Sequence, residues 1–187
     1  ADGIFGQSEE IIRHVNQFPS TKNKFVYRNL QQYAVAAQPK RKHTPFRIVY
    51  AGLLGVAQDI YSIIENIPFQ SIGAEFHLYG GGNQAEKIKE YINKHPGCFV
   101  YYHGYVKKEQ IAEELSRYDA SIVPLTVAIK GAVPSKIYDL IPIGIPILFC
   151  GGGEGAEIVS KYYFGMVSKP HDFKQLHNNI IELINLP

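Results

Sequence analysis

From Phe46 onward the chain repeats one pattern: a short apolar run, a turn rich in glycine or polar residues, then a stretch of helical spacing. Residues 47–51, 74–79, 98–102, 120–124, 146–150 and 164–167 read as strands. They are rich in Ile, Val, Phe and Tyr and lack the strict polar alternation of a sheet with one wet face. Residues 59–66, 84–94, 108–117 and 173–186 carry apolar side chains at helical intervals. Strands that alternate with helices of this length need crossover connections, which place successive strands parallel with helices on both faces. The expected fold is α/β: a doubly wound, parallel, six-stranded Rossmann-like sheet over residues 46–187. In strand order 3-2-1-4-5-6 a ligand sits beyond the carboxyl ends, where the order reverses between the first and fourth strands. The loops expected there are residues 52–58 and 125–135, with the turn 151–155 next to them.

Composition narrows the function. Of 187 residues 45% are hydrophobic and 19% charged, as in a globular domain, and a net charge of +2 gives no field suited to nucleic acid. The two cysteines, Cys98 and Cys150, lie in apolar runs and read as reduced core thiols. The seven histidines show no metal-ligand spacing, so no metal and no cofactor is expected. No apolar run approaches the roughly 20 residues of a membrane span, and no signal peptide is visible.

The densest local signal spans residues 131–157. Pro134 suits a first helical position, Ser135 and Asp139 share one helix face, and Lys136 lies one step round. Gly144 ends that helix, residues 146–150 form a buried strand, and the turn 151–155 opens another helix near Ala156. Two helix N-termini, one lysine and a bare glycine turn can cradle an anion. The same features also suit plain packing, with Asp139 a solvated helix residue.

Val133-Pro-Ser-Lys-Ile-Tyr-Asp139, Gly144-Ile-Pro146 and Gly153-Glu-Gly-Ala-Glu157 together resemble the donor-site motif of retaining group-1 glycosyltransferases of the GT-B fold. The resemblance is nearest to a bacterial branch that carries P-S-K-[IL]-[FY]-E in place of E-x7-E. It implies the C-terminal, nucleotide-sugar-binding half of such an enzyme. Asp139 would hold the ribose, one methylene shorter than the family's glutamate. Lys136 would be the catalytic group that stabilises the departing diphosphate, together with the helix start at Ser135. Gly52, Gly55 and Gln58 match the turn that faces the diphosphate, and Tyr105 and Val106 match the segment that contacts the base. Gly152, Gly153, Glu154, Gly155 and Glu157 would hold sugar hydroxyls and phosphate. Gly80–Gly82 are expected to pack near the site. Two basic residues common after the Gly52 turn are absent, and the first glutamate of E-x7-E falls on Gly131.

Residues 1–30 read as strand, helix and strand, with Ser8 capping a helix that has Glu9 and Glu10 in its first turn. They resemble the last β-α-β unit of the acceptor-side domain, with 31–45 as a linker. The missing initiator Met fits a chain that lacks most of that domain, so the isolated chain is expected to bind a donor without transferring sugar. The implied reaction moves a hexose-type sugar from a nucleoside diphosphate, UDP favoured, to a saccharide or lipid-linked acceptor in bacterial surface polysaccharide assembly. The implied location is cytoplasmic, at the inner face of the membrane, and the basic residues within 39–45 could touch anionic lipid. A sugar-nucleotide epimerase of the same architecture and a non-catalytic nucleotide-binding domain are the alternatives.

Overall fold

A computed structural model describes residues 2–19, 22–30, 42–127 and 130–186. Six parallel strands form the main sheet in the order β5-β4-β3-β6-β7-β8: β3 (Phe46–Ala51), β4 (Ala74–Tyr79), β5 (Val100–Gly104), β6 (Ala120–Pro124), β7 (Ile147–Cys150) and β8 (Gly165–Ser168). This is the expected order, reversing between β3 and β6.

Both faces are covered, which explains the continuous apolar runs. Ile48, Tyr50, Phe76, Leu78, Leu148 and Cys150 point to one face, against α2 (Ile60–Asn66), α3 (Ala85–Lys94) and α7 (Phe173–Asn185). Val49, Tyr79, Val123, Ile147 and Phe149 point to the other, against α4 (Ile111–Leu115), α5 (Ser135–Leu140) and α6 (Gly153–Lys161). Both cysteines are free, and burial pushes the Cys150 thiol up to about 11.

Some boundaries differ from the sequence reading. β5 begins at Val100 instead of residue 98, because Gly97 and Phe99 both take positive φ (92° and 59°) and break the extended chain. The helix expected over 108–117 is a 3-10 turn at Lys108–Gln110 followed by the short α4. α6 starts at Gly153, three residues before Ala156. Pro134 stands just outside α5, at its N-cap.

Residues at the N-terminus form a unit outside the main sheet. β1 (Gly3–Gly6) and β2 (Asn23–Val26) pair in parallel, with α1 (Glu9–Val15) between them. Ser8 Oγ accepts the amide of Ile11 at 3.1 Å and caps α1. Most of the expected linker, residues 31–41, lies outside the described residues, and so do 39–41 of the basic run. Lys42 donates to Leu183 O at 2.8 Å and thereby caps the C-terminus of α7. Asp119 accepts from the amides of His43 and Arg47, at 3.2 and 2.7 Å, and fastens the entry to β3.

Candidate functional site

Beyond the carboxyl ends of β3, β4 and β5 lies a crevice of about 430 Å3. Its floor is Ala51, Gly52, Tyr79, Gly80 and Gly81; Tyr105 and Val106 flank it, and Lys136, Asp139, Leu140 and Ile143 close it from the α5 side.

The turn after β3 is held from below. Tyr50 is fully buried, and its hydroxyl donates to Leu53 O at 2.7 Å. The amides of Gly52 and Leu54 donate to Tyr79 O and Gly81 O at 2.9 and 2.8 Å, which ties the turn to the exit of β4. Leu53 lines the crevice, and among the described residues its amide has no such partner.

Lys136 reaches this turn from the first turn of α5. A Cβ on Gly52 would overlap the Lys136 ammonium, so a side chain there would displace the lysine. Nζ stands 5.6 Å from the centroid of the Tyr50 ring. Lys136 makes no hydrogen bond or ion pair among the described residues. Burial lowers its pKa, opposed in part by the charge of Asp139. Burial likewise raises the pKa of Asp139, against the pull of Lys136 and Lys108. Both shifts have one sense: desolvation of each group outweighs their mutual attraction. Opposite charges withdrawn from water without a close pair are costly, and such groups in a cleft are candidates for a functional site.

Tyr79 forms part of the floor, and its hydroxyl donates to Glu114 Oε1 at 2.6 Å and meets the Tyr118 hydroxyl at 2.8 Å. Burial first, and then these two bonds, push its pKa well up. The ring of His103 stacks on it at 4.7 Å, and His77 stacks on His103 at 5.2 Å. The Tyr105 side chain is largely exposed, yet its hydroxyl rests on Gly81. Among the described residues no three His, Cys, Asp or Glu side chains gather as a metal site.

A family model described as "Glycosyl transferases group 1" matches residues 45–186. The chain belongs to the group 1 glycosyltransferases. Solved structures of the same fold include S. aureus TarM, a mutant in complex with fondaparinux, alpha-GlcNAc-glycerol and UDP. It is 21% identical with a TM-score of 0.73, over 99% of this chain and 37% of that one. The lipopolysaccharide outer core galactosyltransferase WaaB, in its apo form, is 17% identical with a TM-score of 0.68, over 98% of this chain and 53% of that one. HepE of Anabaena, in complex with UDP and glucose, is 15% identical with a TM-score of 0.71, over 99% of this chain and 54% of that one. What is shared at such identities is the GT-B fold. This glycosyltransferase chain spans between about a third and a half of the length of those proteins. A search of curated protein sequences returns no match.

Of the residues singled out in this group 1 sequence, Gly52, Tyr105, Val106, Lys136 and Asp139 line the crevice. Gly55, Gln58 and Ser135 do not, and Gln58 faces a separate water-sized cavity of about 10 Å3 beside Thr126 and Ser168. Gly152, Gly153, Gly155 and Glu157 are also absent from its lining. Glu154 is committed elsewhere. Its two carboxylate oxygens accept the amides of Glu9 and Glu10 at 3.0 and 3.1 Å, and Arg28 donates to it at 2.5 Å. Burial raises its pKa, but the bonds from Glu9, Arg28 and Glu10 outweigh that and hold it below the ordinary value.

Sequence reasoning missed Tyr79 and gave the glycines after β4 only a packing role, although Gly80 and Gly81 line the floor. A signal was present in β4: in Ala74–Tyr79 the odd positions Glu75, His77 and Tyr79 share the face turned toward α4.

Proposed function

We propose that this chain is the donor-binding half of a retaining glycosyltransferase and that the crevice takes a nucleoside-diphosphate sugar, UDP favoured. The observation that carries this reading is Lys136, a desolvated, unpaired ammonium laid across the Gly52 turn with Asp139 in the same crevice. A diphosphate on the turn would give the lysine its counter-charge, and the free amide of Leu53 would be a second donor to it. Transition-state charge on the leaving diphosphate is stabilised by such fixed donors. The carboxylate of Asp139 would accept from ribose hydroxyls. Tyr105 and Val106 would flank the base above the Tyr79 floor. That neighbours of the same fold were solved with UDP, one of them together with glucose, supports this choice of ligand.

On this reading residues 1–30 are the last unit of an acceptor-side domain, and the chain by itself binds a donor without transferring sugar. The exposed Phe5 and Phe25, stacked at 5.4 Å on a two-stranded parallel sheet, support it. Parallel strands are ordinarily covered on both faces. A hexose-type sugar and an acceptor in surface polysaccharide assembly complete the proposal. The test is calorimetric titration of the chain with UDP, GDP, ADP and their sugars. Saturable binding that Lys136→Ala weakens supports the reading; no binding of any of them overturns it.

A further inference from the structure

We infer that Glu10 is a positioning residue of the crevice, acting through Gly131. This deepens the donor-binding reading and rests on it. The carboxylate of Glu10 comes from α1, outside the main sheet, and its Oε2 accepts the amide of Gly131 at 2.6 Å. Among the described residues from Val127 to Pro134, the other hydrogen bond to an element is that of Pro134 O with the amide of Ile137 in α5, so Glu10 supplies the tie to an element other than the helix the segment opens. That segment leads into α5, which carries Lys136 and Asp139.

The fit at Gly131 is close. Gly131 is buried with φ +75°, and a Cβ there would stand 2.6 Å from Ile11 Cγ1 and 3.4 Å from Ser8 Oγ. α1 therefore sits directly on the glycine, in a conformation that other residues adopt at a cost. From Gly131 to the lysine the path is short and stiff: Val133 is buried, and the proline ring fixes φ of Pro134 at −57°. A shift at Gly131 has little slack to absorb it before it reaches Lys136.

Glu10 is itself anchored. Glu154 of α6 holds the amides of Glu9 and Glu10, with Arg28 as its counter-charge. α1 thus spans two elements of the main domain, held to α6 by its backbone and holding the 131 loop by a side chain. Gly131 is also where the family motif would place its first glutamate. Here that position has no side chain, and a carboxylate arrives from α1 instead.

The experiment compares Glu10→Ala and Glu10→Gln with the wild-type chain, by calorimetry with UDP and by amide hydrogen exchange over residues 130–136. Loss of one ordinary hydrogen bond predicts a drop in UDP affinity of roughly threefold to tenfold for Glu10→Ala, with faster exchange over 130–136. Glu10→Gln keeps an acceptor oxygen and should recover most of both. A third variant, Arg28→Ala, loosens α1 from α6 but leaves the Glu10 carboxylate in place, so it should lower thermal stability more than UDP affinity. UDP binding unchanged in Glu10→Ala overturns the inference and leaves the donor reading standing. So does Glu10→Gln binding as weakly as Glu10→Ala. Failure of the wild-type chain to bind UDP overturns the donor reading and this one with it.

Discussion

The ammonium of Lys136 occupies the space where a side chain on Gly52 would begin, and it can lie there because position 52 has none. Two elements far apart in sequence meet there, the exit of β3 and the first turn of α5. Among the described residues the lysine has lost water without gaining a hydrogen bond or ion pair, the Tyr50 ring being its nearest compensation, and burial lowers its pKa. A group held in that condition favours whatever anion can reach it.

Removing the charge therefore separates affinity from stability. Charge-assisted hydrogen bonds to phosphate contribute about 1.5–3 kcal/mol, so Lys136→Ala should weaken UDP binding roughly tenfold to a hundredfold. The thermal midpoint should hold or rise, since a desolvated charge has been removed. Gly52→Ala tests the same contact from the other side: it keeps the lysine but moves it, and should also weaken UDP binding. Calorimetry on both variants checks this, and unchanged affinity in both would remove Lys136 from the site.

Asp139 gives the complementary case. Burial raises its pKa, so the folded state binds its proton more tightly than the unfolded chain does. Stability contributed by this group is thus present in acid and lost as pH rises from the ordinary value of 3.8 through the raised one. Asp139→Asn should stabilise the unliganded chain at neutral pH and lower UDP affinity. Melting curves from pH 3 to 8 read the first effect: a difference that vanishes in acid is expected, and a constant one would contradict it.

Much of this arrangement was legible in the sequence. The order of the six strands follows from crossover connections and buried-strand composition, and it placed the Gly52 turn at the crevice; the loops 125–135 and 151–155, also expected there, do not line it, and the exit of β4 does. Lys136 and Asp139 were singled out because Val133–Asp139 resembles the family's donor-site motif; their spacing alone suited plain packing as well. The Glu154 contact was not. Nothing local distinguishes a carboxylate in a glycine-rich turn that meets a ligand from one that meets another helix's amides, and its partners, Glu9, Glu10 and Arg28, lie more than a hundred residues away. Glu10 was equally hidden, because two acidic residues after a capping serine are fully explained as first-turn charges. Positive φ at Phe99 was invisible as well, since phenylalanine is a good strand former.

Tyr79 supports the floor of the crevice through its hydroxyl. Tyr79→Phe keeps the ring but removes the bonds to Glu114 and Tyr118, leaving two buried or half-buried groups short of a partner. A cost of about 1–2 kcal/mol is expected, read as a lower midpoint in chemical denaturation. UDP affinity should fall by less than for Lys136→Ala, since the ring still forms the floor. A larger binding loss than that would mean the hydroxyl touches the ligand directly.

Glu154 should be an acid-sensitive fastening between α1 and α6. Its carboxylate takes two backbone amides and one guanidinium, and these bonds hold its pKa below the ordinary 4.5 despite burial. A carboxyl with a depressed folded-state pKa contributes stability that is complete above the unfolded value and is lost as pH falls through the folded one. The contact should therefore be whole at neutral pH and weaken only below about pH 4.5. The amide resonances of Glu9 and Glu10, which donate directly to the carboxylate, should report the titration in NMR spectra between pH 2 and 6. Glu154→Gln keeps an acceptor but loses the charge facing Arg28, and hydrogen bonds to charged groups contribute about 1.5–3 kcal/mol. That variant should raise amide exchange across α1, flatten the acid dependence, and leave exchange in α2, α3 and α7 unchanged, because those helices cover the opposite face of the main sheet. A midpoint at or above 4.5 for the two amides, or equal loosening of every helix, would show that Glu154 does not fasten α1.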